Sequence, residues 1–475
     1  MSNDSSVERV TRQIVAGAAG APPGAKLPST RELVRRLGVS ATTVQQALAV
    51  LSADGTITTR PGAGTYVAAV PVEPVAADTS WQDVTLRADQ VDTTGLDDAL
   101  RAGDTEILPM AVGYPDAALG GDLRLSPALA RAARRPGVWD PPPPLGLPEL
   151  RSWFAQQIGV GNDDVIVTPG TQSALSTIFR ALVPAGEPIL FATPTYPGAL
   201  AIARSAGLIP VPVPGDDGGI RPELLERALE RTRSRLLYLQ PTFANPDGSV
   251  LETSRRSEIL EIAQRHGLFV VEDDWARWLG HGDPAPAPLI RDDQHGHVIT
   301  VCSLTKAGAP GLRIGAIAAR GPVAGRLAAQ RMVDDFFVTG PLQHAAVDVV
   351  SAPAWSQHVR RTGVALRARS NVMVGELRRM LPACTFTPPQ GGLSLWLALP
   401  SALTEQDVVR SAHDHGVAVA PGRHYSVGER RAPHLRLSFA NLAPDLIPPA
   451  VSRLRSAVDA VSDRADRSEG GAQPA

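Results

Sequence analysis

Between residues 160 and 320, short apolar segments alternate with helical patterns, and this alternation limits the fold more than any other feature of the chain. Val165-Ile166-Val167-Thr168 and Leu268-Phe269-Val270-Val271 are two of these segments, and both have the length of a buried strand. Strands that alternate with helices are typical of a mainly parallel sheet covered by helices. We therefore expect an α/β domain, in which ligands bind at the carboxyl ends of the strands.

Polar residues suited to ligand binding follow these apolar segments. Pro169-Gly170-Thr171-Gln172 opens a helix, where backbone amides can hold a phosphate. Glu272-Asp273-Asp274 ends a strand, where a carboxylate can hold a protonated ring nitrogen; the alternative is helix capping with structural salt bridges. Tyr196 and Asn245 lie in two further loops. Taken singly, most of these signals are as typical of plain turns.

Lysine is nearly absent: of 46 basic residues, only Lys26 and Lys306 are not arginine. Arginine stays protonated, whereas a lysine can lose its proton and attack a carbonyl. Lys306 lies among small hydroxyl residues, glycines and Arg313. This setting favours an imine-forming lysine beside a bound phosphate, and the alternative is a surface lysine on a loop.

The first 70 residues carry a different pattern. Ser29 with Glu32 predicts a helix that starts at Thr30 and ends at Gly38, and Ser40 can cap a second helix. Two helices joined by a four-residue turn are typical of a helix-turn-helix. Alternation around the glycine turn at residues 61–64 then predicts a β-hairpin, which makes the segment a winged helix.

In a winged helix the second helix enters the major groove by its N-terminal end. We expect base contacts from residues of that helix, namely Thr42, Thr43, Gln45 and Gln46. The predicted phosphate contacts are Arg31, Arg36 and Arg60. The alternative is a three-helix module that binds another protein.

Charge and composition bound the remaining possibilities. Residues 1–70 carry a net charge of +3, and because the whole chain carries −2 the remainder carries −5, which favours a DNA-reading head on an acidic body. Two cysteines give no disulfide framework. Neither a signal peptide nor a membrane span is expected, so a cytoplasmic protein is predicted. His413 and His415 lack matching ligands nearby, and no metal site is expected.

Residues 25–68, with Leu27-Pro28-Ser29-Thr30-Arg31-Glu32-Leu33 and the turn Arg60-Pro61-Gly62-Ala63-Gly64, resemble the GntR family of bacterial regulators. The resemblance implies binding to double-stranded operator DNA. That family usually has an arginine where this chain has Ala41, so one expected DNA contact is missing.

Residues 110–465, through the order and spacing of the motifs above, resemble the fold-type-I aminotransferases, whose cofactor is pyridoxal 5′-phosphate. The resemblance implies that Lys306 forms the internal aldimine, Asp273 pairs with the pyridine nitrogen, and Asn245 bonds the ring hydroxyl. It also implies that Tyr196 stacks on the ring and that Arg436 grips a substrate carboxylate. The implied phosphate ligands are Gly170, Thr171, Gln172, Ser303 and Arg313. Trp275 stands where that family usually has a tyrosine near the ring oxygen.

Together the two parts resemble the MocR subfamily of GntR regulators. The expected organisation is a winged helix-turn-helix domain (1–70), a linker (71–105), an aminotransferase-like domain with a mainly parallel sheet and a smaller C-terminal α+β subdomain (106–465), and a disordered tail (466–475). The resemblance implies a homodimer whose DNA binding responds to an amino-acid or amine effector that forms an aldimine with the cofactor. The alternatives are an active aminotransferase with a fused head, and a constitutive DNA-binding protein that keeps its cofactor for stability.

Overall fold

A computed structural model describes residues 6–60, 62–68, 78–86, 93, 95–96, 106–120, 123–282, 284–428 and 432–470. The chain divides into two compact units, residues 1–90 and 91–475, and the division falls inside the predicted linker. Most of that linker, from 71 to 105, lies outside the described residues. In the described part, no helix is both long and apolar enough to cross a membrane.

The first unit is a winged helix, as the sequence predicts. Its elements are α1 (Ser6–Ala18), α2 (Thr30–Leu37), α3 (Ala41–Ala53), β1 (Ile57–Arg60) and β2 (Gly64–Val67), followed by α4 (Ser80–Thr85). The strands β1 and β2 pair antiparallel as the wing. A small core holds the helices together, with Val10, Leu33, Val44, Leu51 and Ile57 among its buried members.

Caps define the two helices of the helix-turn-helix. The Ser29 hydroxyl accepts a hydrogen bond from the Glu32 amide, and the Ser40 hydroxyl accepts one from the Thr43 amide, which starts α3. Gly38 ends α2 in the left-handed conformation, with φ of 64°, which glycine adopts at little cost.

The second unit is built on an eight-stranded sheet whose order is β4-β11-β10-β9-β8-β5-β6-β7. Its strands are β4 (Val165–Thr168), β5 (Pro188–Thr193), β6 (Ile209–Asp216), β7 (Gly219–Ile220), β8 (Leu236–Leu239), β9 (Phe269–Asp273), β10 (Val298–Ser303) and β11 (Gly315–Ala318). Only β7 and β11 run against the other six, so the predicted mainly parallel sheet is confirmed.

Helices cover this sheet, and their apolar faces form its two large cores. They are α5 (Leu125–Ala132), α6 (Pro148–Ile158), α7 (Thr171–Leu182), α8 (Pro197–Ser205), α9 (Pro222–Thr232), α10 (Thr253–His266), α11 (Pro322–Asp335) and α12 (Gly340–Val350). Because β4, β8 and β10 lie in the middle of the layers, all of their residues are buried rather than alternating between buried and exposed.

The smaller C-terminal α+β subdomain is also present. Its elements are α13 (Pro353–Met380), β12 (Ser394–Ala398), α14 (Glu405–Asp414), β13 (Val417–Ala418), β14 (Ala420–Pro421), β15 (His434–Ser438) and α15 (Ile447–Gly470). Strands β12, β15 and β14 form an antiparallel sheet, and β13 pairs with β3 (Leu108–Pro109). The helix α15 runs through Gly470, which lies within the segment 466–475 predicted as a tail; residues 471–475 lie outside the described residues.

Candidate functional site

The carboxyl ends of the parallel strands open into a cavity of about 330 Å³. The cavity brings together most of the residues that the sequence singled out, which are Thr171, Gln172, Tyr196, Asn245, Asp273, Ser303, Lys306, Arg313 and Arg436. Gly170 lies next to this lining, at the start of α7. The position agrees with the rule that α/β sheets bind ligands at this edge.

Lys306 is held in the cavity by the segment that follows β3. Its Nζ donates a hydrogen bond of 2.6 Å to the carbonyl oxygen of Gly113 and lies 3.4 Å from the ring centroid of Tyr114. Burial, together with the nearby guanidinium groups of Arg436 and Arg313, lowers the pKa of the amine to about 7, although the Asp273 carboxylate raises it. Near neutral pH, a large fraction of this amine is therefore uncharged and nucleophilic.

Asp273 ends β9 and faces the cavity from its floor. Its Oδ2 accepts hydrogen bonds from the Tyr238 hydroxyl (2.6 Å) and from Gln240 Nε2 (2.8 Å). Its Oδ1 is buried and has no partner among the described residues. Burial raises the pKa of this carboxyl to about 6, against the two hydrogen bonds, which lower it. The unsatisfied oxygen is suited to a cationic N–H donor from a ligand.

A cradle for an anion lies where β4 turns into α7. Gly170 has φ of 94°, and a Cβ on it would lie 2.8 Å from Arg313 Nη2, so a side chain at this position would displace the guanidinium. Arg313 is fixed by a hydrogen bond of 2.7 Å from Nη2 to the Pro169 carbonyl. The buried hydroxyls of Thr171 and Thr305 have no partner in the described part of the chain. Free hydroxyls, helix-start amides and a guanidinium together suit a phosphate.

Asn245 and Arg436 lie together in another part of the cavity lining. Arg436, on β15, is only 3% exposed; its Nε donates to Asn245 Oδ1 (2.9 Å) and its Nη1 to the Ala111 carbonyl (3.1 Å). The backbone amide of Asn245 in turn donates to Gln240 Oε1 (2.9 Å). A hydrogen-bonded path thus runs from Asp273 through Gln240 and Asn245 to Arg436.

Tyr196 and Gln172 form a third part of the wall. The Tyr196 hydroxyl donates to Gln172 Oε1 at 3.1 Å. Burial raises the pKa of Tyr196 well above its ordinary value, so the phenol stays neutral. The Tyr196 ring folds back over Gly198, where a Cβ would collide with it. Ser303 is buried at the end of β10, three residues before Lys306.

Sequence reasoning missed several residues of the cavity lining, namely Gly113, Tyr114, Gln240, Thr305 and Tyr425, and also Tyr238, which donates to Asp273 from the core. Gln240 could have been found, because it is a polar residue directly after the apolar strand Leu236–Leu239. Thr305 adjoins Lys306 and belongs to the hydroxyl-rich setting already noted. Tyr114 lies 192 positions before Lys306, and no local signal marks it.

The predicted DNA-contacting residues lie on the surface of the first unit, with one exception. Thr42, Gln45 and Gln46 are exposed on the first turns of α3. Thr43 is half-buried, and its hydroxyl is hydrogen-bonded to the Ser40 hydroxyl at 2.8 Å, so it extends the helix cap.

Three exposed arginines surround this helix in the same unit. Arg31 lies in the first turn of α2, and Arg36 is paired with Glu32 at 2.7 Å. The guanidinium carbon of Arg60 lies 4.9 Å from the Tyr66 ring centroid on the wing. All three are accessible, as phosphate contacts must be.

Comparison with known families identifies the second unit. The model of the class I and II aminotransferases matches residues 113–454, which is most of the chain. The chain belongs to this family. The model of the GntR family of bacterial regulatory proteins matches residues 6–67, so this aminotransferase-family chain also carries a GntR winged helix. Both resemblances drawn from the sequence are confirmed.

Relatives with the same two-part organisation extend over nearly the whole chain. The uncharacterised HTH-type transcriptional regulator YdcR of Escherichia coli is 30% identical over 91% of this chain and 94% of its own. The probable rhizopine catabolism regulatory protein MocR of Rhizobium meliloti is 28% identical over 95% of this chain and 92% of its own. The MocR-type architecture is therefore confirmed.

Among solved structures, the α-aminoadipate aminotransferase LysN of Thermus thermophilus is similar to the second unit. It is 29% identical, has a TM-score of 0.76, and the match covers 81% of this chain and 99% of LysN. That structure holds N-(5′-phosphopyridoxyl)-L-leucine. The cofactor of this family is pyridoxal 5′-phosphate, as predicted.

The cavity fits this cofactor. The free Oδ1 of Asp273 matches a protonated pyridine nitrogen, and the free hydroxyls of Thr171 and Thr305 match a phosphate beside Arg313. Lys306 supplies the primary amine between them. These three unsatisfied groups thus correspond to polar features of the cofactor.

Proposed function

We propose that this protein is a DNA-binding transcription regulator whose affinity for its operator changes when an amino acid or amine binds at its pyridoxal phosphate. The observation that carries this proposal is one chain that joins a GntR winged helix to an aminotransferase cavity with Lys306, Asp273 and Arg436 all in place. If the attached domain binds a small molecule, that binding can change the DNA affinity of the winged helix.

When bound, pyridoxal phosphate supplies an aldehyde that condenses reversibly with primary amines. Lys306 would hold the cofactor through its amine, which a pKa of about 7 leaves partly uncharged near neutral pH. The Gly113 carbonyl and the Tyr114 ring hold this amine when it is free. Asp273 would hold the protonated ring nitrogen, and Tyr238 and Gln240 keep that carboxylate in place.

Arg436 is the residue that selects an α-carboxylate. Its Nε donates to Asn245 and its Nη1 to Ala111. Its Nη2 has no hydrogen bond to a described residue and is left for a ligand. A guanidinium fixed in this way loses little entropy when it binds a carboxylate.

Trp275 favours sensing over turnover. Its buried Nε1 has no partner among the described residues, and the residue lines the same cavity as Asp273. An indole N–H donates a hydrogen bond, but it cannot exchange a proton as a phenol does. An active aminotransferase remains the second candidate, because LysN, which is an aminotransferase, shares this fold at 29% identity.

The proposal includes a homodimer that acts in the cytoplasm on double-stranded DNA. Trp139 (76% exposed) and Phe336 (69% exposed) lie on neighbouring segments, since the Val138 carbonyl would touch a Cβ on Gly340. Large apolar side chains grouped on a surface are typical of an interface, and a second copy is the occupant we propose. Two winged helices would then bind two half-sites.

The test is to titrate the cofactor-loaded protein with amino acids and amines while recording the cofactor's absorption spectrum, and in parallel to measure binding to operator DNA. We expect a reversible spectral change that reports binding of the amine to the cofactor without further conversion. We also expect a change in DNA affinity at the same ligand concentration. If the cofactor instead loses its aldehyde form, and adding a 2-oxo acid restores it, the protein is an active aminotransferase.

The Lys306→Ala variant tests the third possibility, a constitutive DNA-binding protein that keeps its cofactor for stability. We expect it to fold, to bind DNA, and to lose its response to the effector. If it regulates normally with and without effector, the cofactor serves stability alone and the proposed sensing is wrong.

A further inference from the structure

A second cavity, of about 720 Å³, lies in the second unit and takes no part in the proposed function. It is found at the amino ends of β8 and β9, where Arg235 directly precedes β8 and Phe269 starts β9. The cofactor cavity lies at the carboxyl ends of the same strands, with Asp273 at the end of β9. The second cavity is therefore on the opposite edge of the sheet, and we call it the basal cavity. We propose that it binds a phosphorylated small molecule that carries an apolar ring, such as a nucleotide.

Part of the lining of the basal cavity is apolar. Side chains from four separate segments contribute to this part, namely Leu182, Leu229, Phe269 and Val323. Leu229 and Val323 are buried, whereas the Phe269 ring is partly exposed. An accessible aromatic ring beside buried aliphatic groups can pack against a planar ring of a ligand. The volume also falls within the range of about 300–1,000 Å³ that is usual for small-molecule sites.

Three exposed arginines line the same cavity. Arg233 and Arg235 lie between α9 and β8, and Arg326 lies in the first half of α11. Glu230 is the one carboxylate in the described lining, and none of the three arginines forms an ion pair with a described carboxylate. A guanidinium binds a phosphate through paired N–H donors, so three of them beside an apolar surface suit an organic phosphate.

An alternative role for these arginines is to stabilise helix ends, because α7, α9 and α10 all end at the basal cavity. Arg326 has this role, since its Nε donates a hydrogen bond of 2.6 Å to the Ala181 carbonyl in the last turn of α7. The side chains of Arg233 and Arg235 make no hydrogen bond to any residue that the structure describes. Capping therefore does not account for these two.

The backbone of Arg233 supports a role for its side chain. The helix α9 ends at this residue in the left-handed conformation, with φ of 55°. The helix α10, which ends at the same cavity, has Gly267 at the equivalent position, with φ of 61°. Glycine adopts this conformation at little cost, whereas an arginine there is strained. A strained residue with its side chain at a cavity is typical of a binding site.

The experiment is isothermal titration calorimetry of the cofactor-loaded, full-length protein. The probe is adenosine 5′-monophosphate, which is compared with adenosine, lacking the phosphate, and with inorganic phosphate, lacking the ring. We expect the nucleotide to bind with a dissociation constant of about 1 mM or lower, and at least about tenfold more tightly than either part. The cofactor's absorption spectrum should stay unchanged, because the basal cavity lies at the other edge of the sheet.

Variants with a matched control test the arginines. Arg233→Gly removes the guanidinium and relieves the strained backbone, so it should weaken nucleotide binding by at least about tenfold without lowering stability in urea. Arg235→Gln should weaken binding as well and is an independent test. Arg231→Ala removes an exposed arginine from the last turn of α9, outside the cavity lining, and should leave binding unchanged.

Four outcomes would overturn the inference. The first is that the nucleotide binds no more tightly than adenosine or inorganic phosphate, and the second is that citrate binds as tightly as the nucleotide. The third is an equal loss in Arg231→Ala and Arg233→Gly, which would indicate diffuse surface charge. The fourth is a change in the cofactor's spectrum, which would place the nucleotide at the anion cradle. Each of these leaves the proposed function standing, since the basal cavity takes no part in it.

Discussion

The amine of Lys306 is buried beside two guanidinium groups, and this surrounding decides at which pH it can react. An ordinary lysine, with a pKa of 10.5, is almost fully protonated at neutral pH, whereas the pKa of Lys306 is lowered to about 7. The charged form is the one that burial disfavours, so the neutral form gains as pH rises through 7. The geometry therefore makes this residue reactive under physiological conditions.

We predict that the rate at which cofactor-free protein takes up pyridoxal phosphate rises between about pH 6 and about pH 8 and then levels off. Stopped-flow absorbance measures this rate, and a simple alkylamine gives the reference for the cofactor's own titration. Arg436→Gln removes a neighbouring charge and should move the midpoint to higher pH. A midpoint near 10.5 in the unmodified protein would contradict the prediction.

At the scale of single residues, the sequence singles out members of the cavity lining where composition or local context makes a residue unusual. Lys306 was identified by the scarcity of lysine, and Asp273 by three carboxylates after an apolar strand. Tyr114 was missed, since its contact with Lys306 joins distant parts of the chain. Tyr238 was missed because a tyrosine within an apolar strand is typical of a core.

At the scale of elements, the site depends on how strand ends and helix starts are placed. The hydrogen bonds from Asp273 through Gln240 and Asn245 to Arg436 connect the ends of β9 and β8 with β15 of the C-terminal subdomain. The side chains of Asp273 and Arg436 are thus fixed relative to each other. A shift of β15 would therefore change the positions of both side chains.

The turn from β4 to α7 gives a prediction with a matched control. Gly170→Ala and Gly186→Ala both force a non-glycine residue into positive φ, at a cost of about 1–3 kcal/mol each. A Cβ at position 170 also meets Arg313, whereas a Cβ at 186 meets no described atom within 4 Å. We expect similar losses of stability in denaturant unfolding, but weaker cofactor binding only in Gly170→Ala. Equal cofactor affinity in the two variants would show that the cradle does not hold the phosphate.

The helix α3 gives a prediction for DNA recognition. Gln45 is exposed on the first turns of this helix, so Gln45→Ala should reduce discrimination between operator and unrelated DNA by about 1–3 kcal/mol. Arg31→Ala should weaken binding to both and lower the salt dependence by about one ion. Fluorescence anisotropy over a salt series measures both effects. An equal loss on operator and unrelated DNA in Gln45→Ala would rule out base recognition by this residue.

Elements of the winged helix could be predicted almost to the residue because their signals are local. Ser29, Gly38 and Ser40 mark helix ends through contacts within four positions. In the second unit, the parallel strands could be predicted but their order could not. The strand β11 lies antiparallel between β4 and β10, and such pairing depends on contacts between distant segments.

At the scale of the whole molecule, regulation requires that two separate units share one equilibrium. If the effector changes DNA affinity by some factor, DNA must change effector affinity by the same factor. Operator DNA present in the spectral titration should therefore shift its midpoint by that factor. An unchanged midpoint, together with a real effect on DNA binding, would show that the effect does not arise from binding at equilibrium.

The proposed dimer gives a prediction at the same scale. Val333 is 81% exposed and lies on α11 near Phe336, so Val333→Asp should weaken self-association by roughly tenfold or more. Val364 is 65% exposed on α13 and serves as the control, since a charge there should have no effect if it lies outside the interface. Sedimentation velocity over a range of concentrations measures both. Identical behaviour of the two variants would exclude this surface as the interface.

The two lysines also make the protein easy to follow by chemical labelling. Lys26 lies in the first unit, 5.9 Å from the Tyr66 ring centroid and against Gly64 in the wing turn, while Lys306 lies in the cavity of the second unit. An amine-selective reagent therefore has one side-chain target in each unit. Mass spectrometry of the two labelled peptides would report protection of Lys26 by DNA and protection of Lys306 by the cofactor. The measurement needs no substitution in the chain.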